Sequence, residues 1–187
     1  MKITQVHRKF TQSQASRITG LSPALQREWR LRCASQDREE RKWTRYAVAD
    51  VIELRIMKML ADAGVSVSRI GQFAVYAVEP AMSHMLGLPG AMRLQASYMS
   101  TDLRDRILRS MLPAPCGRYV CMTRSADGRV VMRNGATWDM HEALLEEARS
   151  SFSFTVDCHR LAEEIFSLID GEVLTIEVER DAAGAAG

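Results

Sequence analysis

The sequence predicts an α+β protein made of a helical head, a helical connector and a small mixed C-terminal part. Three observations carry this. Two helix-start signals, Thr11 with Gln14 and Ser22 with Pro23, stand on either side of Gly20 near the N-terminus. From Arg118 onward the apolar spacing turns from helical to largely alternating. The formal charge of +2 is also unevenly spread, since residues 1–46 hold 11 basic and 4 acidic side chains, or +7, which leaves −5 for the remainder. A basic head on an acidic body implies that a polyanion is met at one end only.

With 187 residues, 47% of them hydrophobic, the chain can bury a sizeable core, and wholesale disorder is excluded. No run reaches the roughly 18 to 20 apolar residues of a membrane span, and residues 1–10 (MKITQVHRKF) contain no apolar signal-peptide segment. A cytoplasmic location without membrane contact is expected. The four cysteines, Cys33, Cys116, Cys121 and Cys158, are scattered and read as reduced thiols. For Cys116, Cys121, Cys158 and His159 to gather around a soft metal, separate elements would have to converge, and the spacing matches no standard zinc pattern. No metal and no other cofactor is expected.

Residues 11–18 (TQSQASRI) read as a short helix capped by Thr11 and broken after Thr19-Gly20. Ser22 then caps a second helix that starts at Pro23. At 100° per residue, Leu25 and Trp29 fall on one side of that helix, with Leu21 just ahead, and Pro23, Gln26, Arg27 and Arg30 fall on the other. An apolar face anchored by tryptophan stands opposite an amide and two guanidiniums, groups suited to base edges and phosphates. Helix, glycine turn and helix with such an outer face describe a helix-turn-helix. Residues 31–46 read as a β-hairpin wing with its tip near residues 37–40, its return limb alternating bases with aromatic or β-branched residues. The candidate DNA-binding residues are therefore Ser22, Pro23, Gln26, Arg27 and Arg30 on the helix, and Arg41, Lys42, Arg45 and Tyr46 on the wing. A third helix follows over residues 48–61, ended by Gly64, and Ser66 caps a fourth in which Val67 and Ile70 make the first apolar contacts.

This order of elements resembles the N-terminal winged helix-turn-helix of the MerR family over about the first 70 residues. The resemblance lies in Thr19-Gly20-Leu21-Ser22-Pro23 in the turn, in Arg45-Tyr46 followed by Asp50-Val51, and in Gly64 with Ser66, Val67 and Ile70. It implies a DNA-binding transcriptional regulator of bacterial or phage type. This chain has Gln26-Arg27-Glu28-Trp29 where the family carries an arginine and paired tyrosines, and Ala47 where a cap residue is usual. The missing cap is expected to cost about 1 kcal/mol. Classical members continue into one long dimerising helix, which residues 75–116 are not expected to supply, because Pro80, Gly87, Pro89, Gly90 and Pro113 interrupt them. The family's effector chemistry and promoter-twisting mechanism are therefore not carried over.

The middle reads as two or three short helices, the clearest over residues 101–112, with Met82, Met85, Met92 and Met99 as core. Beyond it, residues 119–122 and 130–132 flank the turn signal Asp127-Gly128, and then come a helix over 137–148, a strand through Phe152, Phe154 and Val156, a helix capped by Asp157, and a last strand through Leu174, Ile176 and Val178. The pattern is ββαβαβ. The expected division is a head over 1–74, a connector over 75–116, an α+β part over 117–180 and a flexible tail over 181–187. His141, Glu142, Glu146 and Glu147 read as a solvated helix face rather than as catalytic groups. Cys158 stands at the first turn of a helix, where a thiol pKa falls, but adjacency alone does not orient His159 toward it. No enzymatic activity is expected. Double-stranded DNA is the expected partner, met by a dimer or higher oligomer held together through the C-terminal half, which is also where RNA polymerase or another protein would be met. A phage DNA-packaging small subunit or an excisionase-type architectural protein is the alternative that the same head allows.

Overall fold

The computed structural model describes residues 2–33, 45–95, 100–111, 116–150 and 152–179. The elements are β1 (Lys2–His7), β2 (Lys9–Phe10), α1 (Gln12–Thr19), α2 (Pro23–Cys33), β3 (Tyr46–Ala47), α3 (Val48–Asp62), α4 (Val67–Leu86), β4 (Met92–Gln95), α5 (Thr101–Met111), β5 (Tyr119–Arg124), β6 (Val130–Gly135), α6 (Met140–Ala148), β7 (Phe154–Asp157), α7 (Cys158–Ser167) and β8 (Leu174–Glu179). Among the described residues, seven helices and three small sheets make the chain mixed in class, compatible with α+β. No helix among them is long and apolar enough to cross a membrane.

The start of α1 is set locally. Thr11 Oγ1 accepts from the Gln14 backbone N–H at 3.3 Å, and Gln14 Oε1 accepts from the Thr11 N–H at 2.8 Å, a closed capping box. Gly20 ends the helix at φ +73°, a left-handed conformation that glycine adopts without penalty. The second helix runs on to Cys33, so the hairpin expected from residue 31 does not begin there. Nothing in Leu31-Arg32-Cys33 breaks a helix. The expected hairpin tip and most of its return limb, with Arg41 and Lys42, lie outside the described residues. The end of that limb is β3, which pairs antiparallel with β2 through Lys9 opposite Ala47 and Phe10 opposite Tyr46.

The missing side-chain cap at Ala47 is observed, and the expected break at Pro80 needs correction. Ala47 has no side-chain acceptor, yet its own N–H donates to Asp50 Oδ2 at 2.8 Å, so half of a capping box survives at the start of α3. Pro80 does not interrupt α4, a 20-residue helix that runs through it from Val67 to Leu86. An interior proline costs about 3 kcal/mol. Here Phe73, Ala74, Ala77, Ala81 and Met85 are buried along one face of α4, against α3 and α7, and that packing outweighs the cost.

The C-terminal strands divide between two sheets. β5 and β6 form the hairpin around Asp127-Gly128, and β7 joins β5 on its other side, giving the order β6-β5-β7. β8 leaves this group and lies between β1 and β4, antiparallel to the first and parallel to the second. The ββαβαβ run is therefore not one sheet. Its last strand is bound to the beginning of the chain and to a strand, β4, that periodicity did not announce. Arg8 strengthens this junction by donating from Nη1 to the carbonyls of Asp170 and Glu172, and Arg17 Nη2 reaches the Leu168 carbonyl at 3.5 Å.

One apolar cluster runs from Phe10, Ile18, Trp29 and Tyr46 through Val51, Ile56, Phe73 and Ala77 to Val120, Met122, Val156, Leu161 and Ile165. α4 is its hub, packed on α3 on one side and on α7 on the other. Strand pairing and core both cross the boundaries expected at residues 74 and 116.

Candidate functional site

The turn between α1 and α2 is held by a compact set of hydrogen bonds. Thr19 Oγ1 donates to the Ala15 carbonyl at 2.7 Å and accepts from the Leu21 N–H at 3.2 Å, and the Gly20 N–H reaches the Ser16 carbonyl at 2.9 Å. Arg55 Nη1 on α3 meets the Thr19 carbonyl at 3.4 Å. Ser22 Oγ accepts from the Leu25 N–H at 3.3 Å, as a helix cap does, and Pro23 takes the first helical position. Both Ser22 and Pro23 are exposed.

The faces of α2 are rotated from the expected ones. Gln26 is fully buried, with Nε2 donating to the Leu21 carbonyl at 3.0 Å and Oε1 without a partner among the described residues. It cannot reach a base edge, and its role is to tie α2 to the turn. Leu25, expected inside, is 40% exposed. The reason is angular: Trp29 and Gln26, three residues apart, share the strip of α2 that meets the core, and Leu25 lies beside it. The outward arc carries Pro23, Ala24, Arg27 and Glu28. Arg27 is exposed and makes no hydrogen bond or ion pair among the described residues. The helical backbone includes Arg30, whose side chain lies outside the described residues.

On the two-stranded ribbon, Tyr46 is buried at 3% exposure opposite Phe10, so it anchors the ribbon inward and cannot be a surface contact. Arg45, immediately before it, is exposed, as is Lys9 across from Ala47. Neither has a polar partner among the described residues. The cations of residues 1–46 whose side chains are described thus fall into two groups. Arg8 and Arg17 are spent on carbonyls of the α7–β8 corner, whereas Lys9, Arg27 and Arg45 point to solvent unpaired. Sequence reasoning missed Lys9, because it read no strand in the first ten residues; the β-branched Ile3, Thr4 and Val6 were the signal for β1, with β2 directly after it.

Among the described residues the sulfur and imidazole groups form no comparable site. Cys158 is buried with Sγ toward the Ala77 carbonyl, and burial, followed by the charges of Asp157 and Cys116, pushes its thiol up to about 12. The lowering expected at a helix start is overridden by desolvation. His159 faces His84 edge to face at 5.4 Å between ring centroids. Among the described residues no three His, Cys, Asp or Glu side chains are placed to hold a metal ion. His141 Nδ1 lies 3.0 Å from the Trp138 carbonyl, and Glu147 pairs with Arg133 at 2.7 Å, while Glu142 and Glu146 are exposed.

Neither the family models nor the characterised proteins with which the sequence was compared match it.

Proposed function

We propose that the chain is a sequence-specific DNA-binding protein, a transcriptional regulator of bacterial or phage type, with a MerR-like winged helix-turn-helix at its N-terminus. In this reading α2 enters the major groove with Pro23, Ala24, Arg27 and Glu28 foremost, and Lys9 and Arg45 on the β2–β3 ribbon meet phosphates. The observation that carries the reading is Arg27, an exposed guanidinium with no partner among the described residues, on a helix whose opposite strip is fixed to the core by Gln26 and Trp29. Held in this way, the side chain presents its fork of donors without the backbone having to move, as bidentate recognition of guanine requires. The split of charge along the sequence supports the same orientation, basic end toward the polyanion. One such head buries little surface, so tight binding calls for a dimer or higher oligomer on a pseudo-palindromic site.

Selection of bound duplexes from a random pool, followed by titration of the selected site, tests this. The Arg27→Ala/Arg30→Ala double variant is expected to bind it far more weakly than the parent. Equal affinity of the two proteins would sink the groove assignment.

A further inference from the structure

The edge of the β1-β8-β4 sheet carries a second surface. Two hydrogen bonds fix which way each residue of β1 points its main chain: the Arg8 N–H donates to the Val173 carbonyl at 2.9 Å, and the Leu174 N–H donates away from β1, to the Ala91 carbonyl at 3.1 Å. Main-chain groups alternate along a strand, so with the observed register Thr4 and Val6 face Glu177 and Thr175 of β8. Ile3, Gln5 and His7 then direct their N–H and C=O groups outward, where no strand pairs with them among the described residues. Natural edges are blunted by proline, a bulge or a charged side chain. Apart from Lys2 at its start, this strand has none of these, its register is unbroken over six residues, and Ile3 and Val6 remain 46% and 44% exposed.

We propose that β1 is a self-association edge, paired antiparallel with β1 of a second copy across a two-fold axis at Gln5. Two-fold pairing of a strand with itself through Gln5 sets Gln5 opposite Gln5, and Ile3 opposite His7 in both directions. All three are residues whose hydrogen-bonding groups point outward, so each pair exchanges both of its bonds. A register shifted by one residue cannot do this, because it would oppose outward groups to inward ones. Side chains agree with the same partner. Ile3, Gln5 and His7 lie on the face that holds Val178, Ile176 and Leu174, the buried side of the sheet, and the apolar layer formed there with Leu94 continues onto Ile3 before it meets solvent. A second copy extends that layer, placing its Leu174 and His7 in the row of Ile3 and Val178. The opposite edge strand, β4, has only four residues and carries α5 packed against it. Pairing of β1 with β1 uses the same surface twice and closes at two copies, whereas a head-to-tail contact would not close.

The inference rests on the proposed function only for the expectation of self-association, and its test contains no DNA, so either can fail alone. Sedimentation equilibrium of the full chain over a wide dilution series is expected to show a monomer–dimer equilibrium. Gln5→Pro removes only the outward donor, leaving the bonds to β8 in place, and should weaken the dimer roughly tenfold or more through the loss of one hydrogen bond per copy. Should that variant unfold, Gln5→Lys, which alters only an exposed side chain and sets two like charges face to face at the axis, is expected to weaken the dimer as well. Amide exchange supplies a pattern that an unrelated interface would not give. Ile3, Gln5 and His7 should exchange slowly only when dimeric, and Thr4 and Val6 slowly in both states. A monomer at every concentration overturns the proposal, whether or not β1 captures a foreign strand. So does a dimer indifferent to Gln5→Lys, or one in which the outward amides still exchange fast.

Discussion

The Arg118 guanidinium lies on the Asp157 carboxylate, with Nη2 2.7 Å from Oδ2 and Nε 3.1 Å from Oδ1, and the same carboxylate caps α7 by accepting the Arg160 N–H at 3.0 Å. Burial alone would push the Asp157 carboxyl up, but the hydrogen bonds from Arg118 and Arg160 and the Arg118 charge outweigh it, and the net displacement is downward. A lowered carboxyl contributes stability that is complete above the unfolded carboxylate pKa of about 3.9 and is lost as pH falls through the folded value. Asp157→Ala is expected to cost about 1 to 2 kcal/mol near neutral pH, from the cap and the charged pair together. In urea unfolding at a series of pH values, the gap between parent and variant should close once the solution is more acidic than the carboxylate range.

Gln26 and Arg27 are neighbours in sequence with opposite expected effects. Gln26→Ala removes the bond to the Leu21 carbonyl and opens a cavity, so it should cost about 1 to 3 kcal/mol of stability. The base preference of whatever protein folds should be unchanged. Arg27→Ala should leave stability within about 0.5 kcal/mol. Its cost is expected in binding, about 1 to 3 kcal/mol with relaxed preference at one base position. Thermal unfolding and duplex titration of both variants separate the two residues.

β8 joins the beginning of the chain to its end, and α4 shares one core with α7. A chain ended at residue 116 loses β8 and α7, leaving β1 unpaired and one face of α4 bare. Such a fragment is expected to show no cooperative thermal transition, while the full chain unfolds in one step across head and C-terminal probes. A well-folded fragment of residues 1–116 would show that the shared core contributes little.

Thiol reactivity offers a further check. With its thiol near 12 and buried, Cys158 should resist a thiol reagent at mildly alkaline pH until the protein unfolds, and buried Cys121 should do the same. Cys116, only partly buried, is expected to react ahead of both. Mass analysis of a timed alkylation reads the order directly.

How much of this was legible in the sequence follows from how local each signal is. The Thr11–Gln14 box, the Gly20 turn, the Asp127-Gly128 hairpin and the Asp157 cap involve residues within a few positions of one another, and their side chains state the geometry. Tertiary contacts decided the rest. Pro80 sits inside a helix because core packing outweighs its local cost, and β8 pairs with β1 across more than 160 residues, a choice no periodicity records. The outward face of α2 is legible only in part for the same reason, Arg27 being exposed as expected and Gln26 buried. A helical wheel orders the residues of α2 around its axis, but the contact with the core sets the zero of angle, and a buried glutamine bonded to Leu21 turned it toward Gln26.

The unpaired cations of the head are proposed to meet DNA. The most direct test is an anisotropy titration of a labelled duplex with the full chain at a low and a high salt concentration, set beside the same titration of Arg45→Ala. Affinity is expected to fall steeply with salt, and Arg45→Ala to bind every sequence more weakly, with a slope reduced by about 1 on the logarithmic scale. Binding that is absent, or that is indifferent to both salt and Arg45, would contradict it.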